Sequence, residues 1–211
     1  MRQRTKKEQP AKKLIQEVAT RLFAKEGFDS VSIMDICNEA GVNNSMVSYY
    51  FGGKMELYES IIGNMRDKQI EYLNSLIKIE DFRKLSVKEK STEFNTVLDK
   101  FIDFFYTEVS TDIIMLILRE QQNPLQNKNI LERVPWIIYL RELLADMMNL
   151  QITSEEIVFH IMSIVAIMTS PRIFSTLLFS LLNNKNLSTE HIEMIRKNLK
   201  NYVSVILKFD C

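Results

Sequence analysis

Apolar residues recur every three or four positions along nearly the whole chain, and residues that interrupt helices are scarce, with 5 glycines and 4 prolines among 211 residues. That spacing is the period of an α-helix; no stretch alternates as a half-buried strand would. Leu14, Ile15, Val18, Ala19, Leu22 and Phe23 form one such face, with Pro10 suited to its first turn and Gly27 to its C-terminal cap. Ser32-Ile33-Met34-Asp35 reads as a capping box opening a second, short helix. Ala40-Gly41-Val42 ends it, and Asn43 or Asn44 can cap a third helix to about Tyr50. After Gly52-Gly53 a long helix from Lys54 carries apolar residues as far as Leu76 and Ile77.

The remainder reads as longer helices with short connections. One starts at Ser86, one covers Asp112 to Gln122 before an Asn123-Pro124 stop, and one opens at Pro135. A capping box of Thr153 and Glu156 is expected to lead an apolar helix that bends or ends near Pro171, and Ser188 or Thr189 caps the last. The expected class is all-α: an N-terminal three-helix domain with a basic arm, residues 1–53, then a helical body, residues 54–211.

Charge and cysteine usage narrow the function. The formal net charge is zero, yet Arg2, Arg4, Lys6, Lys7, Lys12 and Lys13 face only Glu8 within the first 13 residues, a balance suited to a polyanion. Cys37 and Cys211 form no disulfide framework or zinc pattern, which fits a reducing cytosol. The apolar stretch from Ile161 to Leu182 contains Pro171, Arg172 and several hydroxyls, so it reads as a core or interface helix and no membrane is expected. Two histidines in separate helices, no phosphate-cradling glycine loop and no Cys-x-x-Cys pair argue against an enzyme, a metal or a cofactor.

The second and third helices carry the function. Gly41 permits a tight reversal, while Ile36, Ala40, Val42 and Val47 supply a small apolar wedge, the requirements of a helix-turn-helix. The second helix of such a pair fits a major groove roughly 12 Å wide. Its face offers Asn44, Ser45, Met46, Ser48 and Tyr49: amides and hydroxyls for base edges or phosphates, and a thioether for a thymine methyl.

The surrounding residues extend the pattern. Leu22-Phe23, Gly27-Phe28, Ser32, Asp35-Ile36, Ala40-Gly41-Val42, Tyr50-Phe51, Lys54 and Leu57 stand in an order and spacing that resembles the DNA-binding domain of the tetracycline-repressor (TetR) family. The resemblance covers roughly residues 10–62. It implies a dimeric regulator, usually a repressor, that leaves a palindromic operator when a small-molecule effector binds its body. Asn43, Asn44, Ser45, Met46, Ser48 and Tyr49 then fall at the DNA-contacting helix, and Ser32, at the start of the helix before it, is a further DNA-binding residue, with Tyr50 at the DNA backbone and Lys54 at a phosphate. Three positions depart from the family pattern: Ser48 replaces a tyrosine, Met34 stands where an arginine often reaches DNA, and Gly52-Gly53 replaces a polar pair. By the same resemblance the subunits pair through the last two helices, residues 153–183 and 188–209.

Candidate effector contacts are Arg119, Trp136, Tyr139 and His160, each with a plainer reading. Arg119 could pair with Glu120 in water, the two aromatic residues could be core, and His160 could be a hydrogen-bonded core histidine. A ligand-responsive activator and a helical interaction module that never touches DNA are the alternatives.

Overall fold

A computed structural model describes residues 8–122 and 134–207. The arm residues Arg2, Arg4, Lys6 and Lys7, the Asn123-Pro124 stop, the last helix beyond Leu207, and Cys211 lie outside the described residues. Among the described residues every regular element is helical: α1 (Glu8–Glu26), α2 (Ile33–Ala40), α3 (Ser45–Phe51), α4 (Lys54–Leu73), α5 (Ile79–Phe82), α6 (Val87–Glu108), α7 (Thr111–Gln122), α8 (Pro135–Met148), α9 (Glu155–Ile173), α10 (Ser175–Leu182) and α11 (Thr189–Ile206).

By packing, the chain forms two units: Met1–Lys68 with Asp112–Arg133, and Gln69–Thr111 with Val134–Cys211. This division falls elsewhere than the functional boundary expected after residue 53, because most of α4 and nearly all of α7 pack with the N-terminal helices. The first unit closes on Ile15, Ala19, Phe23, Ile36, Cys37, Val47, Leu57 and Tyr58, all at most 1% exposed, with Leu116 of α7 joining them. Each such Ile, Leu or Val side chain contributes about 1.5–3 kcal/mol by leaving water. Phe23, Phe28 and Tyr58 meet at centroid distances of 5.3–5.7 Å, the Tyr58 contacts edge-on.

In the second unit Phe94, Val97, Leu98, Phe101, Ile102 and Phe105 of α6 are buried along with Leu140, Leu143 and Leu144 of α8. Ile157, Ile161, Ile164 and Met168 of α9 and Ile195, Leu199 and Val203 of α11 complete that core. Arg196 of α11 bonds Asp99 and Asp103 of α6 at 3.1 and 2.7 Å, and Lys200 reaches Asp99 at 2.7 Å. The Arg172 guanidinium of α9 donates to the carbonyls of Phe105, Tyr106 and Val109, satisfying the C-terminal end of α6. α9 is long and apolar enough to cross a membrane by composition, with a mean hydropathy of 1.3, but its Ile157–Met168 stripe belongs to this core.

Several expected boundaries shift. α4 ends at Leu73 instead of running to Ile77: the Asn74–Leu76 turn follows, and a short α5 that the sequence did not signal. The Thr153–Glu156 capping box does not form. Ser154 occupies the N-cap position without a side-chain cap bond, and Glu156 instead comes within 3.8 Å of His160 one turn on. The break expected near Pro171 is present: α9 ends at Ile173 and α10 begins at Ser175, with Phe174 between them. Pro171 has no N–H to give the carbonyl one turn back, so the helix stops within its last turn. Ser86 with Glu89 forms a full capping box, and so does Ser188 with His191 at the third position of α11.

Candidate nucleic-acid interface

The geometry of the helix pair begins at Ser32. Its N–H and hydroxyl donate to Asp35 Oδ2 at 2.8 and 2.6 Å, and the Asp35 N–H donates to Ser32 Oγ at 3.1 Å. These bonds hold the Asp35 carboxyl below the usual carboxylate range, the Ser32 hydroxyl first and its N–H second, with nearby Lys54 adding a smaller pull. At the other end of α2, Gly41 adopts φ +63 and ψ +35, and the N–H groups of Gly41 and Val42 close on the carbonyls of Asn38 and Cys37. Those bonds satisfy the helix end and turn the chain sharply into α3.

α3 is started by Asn43, one residue before its formal N-cap. The Ser45 N–H and hydroxyl each donate to Asn43 Oδ1 at 3.0 Å, whereas Asn44 makes no cap bond. Val47 is wholly buried, and Met46, Tyr50 and Phe51 pack partly on the same core. Asn43, Asn44, Ser45, Ser48 and Tyr49 are exposed. Tyr49 is 71% exposed and lies edge-on to Tyr50 at 5.0 Å. Met46, expected at the DNA face, is half-buried against that core. Lys54 Nζ lies 4.3 Å from the Phe28 ring centroid and Lys12 Nζ 5.5 Å from that of Phe51.

On the outer side of α2, Met34 is 56% exposed, a large apolar side chain in water. Arg21 of α1 pairs with Glu39 of α2. The sequence pointed to Met34 only as a departure from a family pattern; its bare exposure is the additional signal.

The four candidate effector contacts are divided between the two units. Arg119 belongs to the first unit. It lines a cleft of about 240 Å³ with Phe23, Gly27, Phe28, Tyr58 and Glu120, but its Nε and one Nη donate at 2.8 Å to the carbonyls of Ala24 and Lys25. The expected pairing of Arg119 and Glu120 in water gives way to this cap of α1, while Glu120 is 5% exposed and accepts from the Tyr58 hydroxyl at 2.5 Å. In the second unit Trp136 and Tyr139 lie 5.8 and 6.1 Å from the Phe101 ring, and the Tyr139 hydroxyl donates to the Ile77 carbonyl at 2.8 Å. His160, also in the second unit, bonds Tyr202 of α11 at 2.8 Å.

Comparison with known proteins decides the family. A sequence model of the tetR family of bacterial regulatory proteins matches residues 15–61, which contain α2 and α3. A second, for the C-terminal domain of the HTH-type transcriptional dual regulator CecR, matches residues 91–208, more than half of the chain. The chain belongs to the tetR family of bacterial regulatory proteins. It is a helix-turn-helix transcriptional regulator, and regulators of this family are non-enzymatic proteins that bind operator DNA and act as dimers. No match is found among curated proteins.

Solved structures share the fold. A TetR-like transcriptional regulator from Rhodococcus is 15% identical, with 95% of this chain and 97% of that one covered at a TM-score of 0.58. A regulator of the "TerR/AcrR" family from Aquifex aeolicus is 14% identical, with coverage of 93% and 99% and a TM-score of 0.56. The hemolysin II transcriptional regulator HlyIIR is 19% identical, with coverage of 92% and 98% and a TM-score of 0.55.

Proposed function

We propose that this regulator is a cytoplasmic repressor that sits on a palindromic operator as a homodimer and leaves it when a small-molecule effector binds its helical body. The observation carrying the DNA half is α3 itself: a short helix started by Asn43, seated by Val47, with Asn44, Ser45, Ser48 and Tyr49 exposed together. In this reading Asn44 and Tyr49 meet base edges, Ser45 and Ser48 meet bases or phosphates, and Tyr50 and Lys54 meet the backbone. Ser32, Asn43 and Met46 also meet DNA in this reading, while Ser32 and Asn43 hold the starts of the two helices. Residues 1–53 act as the DNA-binding domain and residues 54–211 as the effector and dimerisation domain.

Exposed apolar side chains support dimerisation through the last helices. Val158, Phe159 and Met162 of α9, Leu177 and Leu181 of α10, and Met194 and Val205 of α11 are between 40% and 76% exposed, an area that a monomer would leave in water. The effector half rests on Trp136 and Tyr139 beside Phe101 in the second unit, with His160 of the same unit as a further candidate. An effector releases DNA only by binding the non-competent arrangement more tightly than the competent one. A second reading, a regulator that both represses and activates, is favoured by the match to the domain of a dual regulator.

The test is a mobility-shift titration over a range of salt on the DNA upstream of the protein's own gene, with wild type and Asn44→Ala. The reading predicts specific binding that Asn44→Ala weakens by about 5- to 100-fold, the range for removing a bidentate base contact. Equal affinity for operator and random DNA in both proteins would remove the proposal.

A further inference from the structure

We infer that this protein reads its operator through A·T base pairs, by one amide and by apolar contact with thymine methyls, and not through guanines. The inference rests on α3 being the DNA-reading helix and adds the base class that it recognises. From Ile33 to Phe51 the chain has no Lys, Arg or His. Bidentate donation to guanine O6 and N7 comes from Arg or Lys side chains, so the helix pair contains no group of the kind that most often selects guanine. Among the described residues, three cations at the flanks are engaged, Lys12 over Phe51, Lys54 over Phe28 and Arg21 on Glu39. The two carboxylates on α2 are occupied as well, Asp35 by Ser32 and Glu39 by Arg21, which leaves neither bare to accept from cytosine N4.

The groups that α3 and α2 do present have a consistent chemistry. The Asn43 Oδ1 is taken up in starting α3, so Asn43 lacks the free acceptor that bidentate recognition needs, but the neighbouring Asn44 amide is exposed and makes no cap bond. A carboxamide matches adenine, whose N7 accepts and whose N6 donates. Tyr49 at 71% exposure and Met34 at 56% are large apolar surfaces in water, and the thymine C5-methyl is the apolar feature of the major groove. Ser45 and Ser48 can bond either base pair and do not discriminate.

The experiment starts from a duplex selected by the full-length protein from a random library at fixed salt. Within its half-sites, thymine is replaced by deoxyuridine, which removes only the methyl. Adenine is replaced by 7-deazaadenine and guanine by 7-deazaguanine, which remove only N7. The expected results are a loss of about tenfold or more on uracil substitution, a similar loss for 7-deazaadenine at one position per half-site, and less than twofold for 7-deazaguanine. Tyr49→Ala and Met34→Ala, both at exposed positions, should each bind more weakly and respond less to uracil. Sensitivity to 7-deazaguanine with indifference to uracil and 7-deazaadenine would overturn the inference while leaving α3 as the reading helix. Failure to select any duplex at low salt would instead overturn the DNA-binding reading beneath it, and the base-class inference with it.

Discussion

Replacing Gly41 tests whether the turn between α2 and α3 is held by backbone conformation or by close packing. Gly41 has φ +63, yet a Cβ built there meets no atom within 4 Å. The cost of a side chain is therefore conformational. A left-handed residue with a Cβ costs about 1–2 kcal/mol, and the smaller conformational freedom of alanine in the unfolded chain returns about 0.4–1 kcal/mol. Gly41→Ala should thus destabilise the first unit by about 1 kcal/mol. Asparagine tolerates the left-handed region better than alanine, so Gly41→Asn should cost less, about 0.5 kcal/mol, although its side chain is larger. Urea unfolding followed by circular dichroism at 222 nm, at one protomer concentration, measures both. A steric turn would give the opposite order, with asparagine worse than alanine. That order, or a loss above about 3 kcal/mol for alanine, would refute the conformational account.

Other perturbations address separate contacts. Arg119→Met removes two 2.8 Å bonds to the last carbonyls of α1 and should cost about 1–2 kcal/mol, discounted because the side chain is exposed; Arg119→Lys should recover only part, and full recovery would mean that charge alone suffices. Asp35 has a folded-state pKa below its unfolded value, so its contribution is complete above the ordinary carboxylate pKa and disappears as pH falls through the depressed one. Carboxyl chemical shifts should show Asp35 titrating low in wild type and rising toward the ordinary range in Ser32→Ala; an unmoved titration would contradict the capping-box cause. Deleting residues 1–8 removes Arg2, Arg4, Lys6 and Lys7, and should flatten the slope of log K against log salt by about 0.9 for each phosphate that the arm no longer neutralises. An unchanged slope would mean that the arm neutralises no phosphates.

The features legible in the sequence are those fixed by near neighbours. The Ser32–Asp35 and Ser86 starts, the left-handed Gly41 and the Ile36–Val47 wedge depend on residues within a few turns, and periodicity alone places their faces. Pairings across long separations are not legible. Arg119 caps α1 from about 95 residues away, and nothing within α7 distinguishes that role from ligand binding. His160 and Tyr202 meet only because α9 and α11 pack. The Thr153–Glu156 pattern is locally sound and still fails, since Glu156 is free to turn toward His160. Helical phase puts Met46 near Ser45 at the expected DNA face, and its partial burial on the core beneath α3 is not legible from that phase.

Hydroxyl-radical footprinting of the dimer on a selected duplex is the most direct check that two α3 helices occupy successive major grooves. It should reveal a two-fold pattern of protection with half-site centres one helical turn apart, about 10–10.5 base pairs or 34–36 Å, abolished when Asn44→Ala and Tyr49→Ala are combined. A single unsymmetrical patch, or protection that survives the double substitution unchanged, would contradict the assignment of α3 as the reading helix.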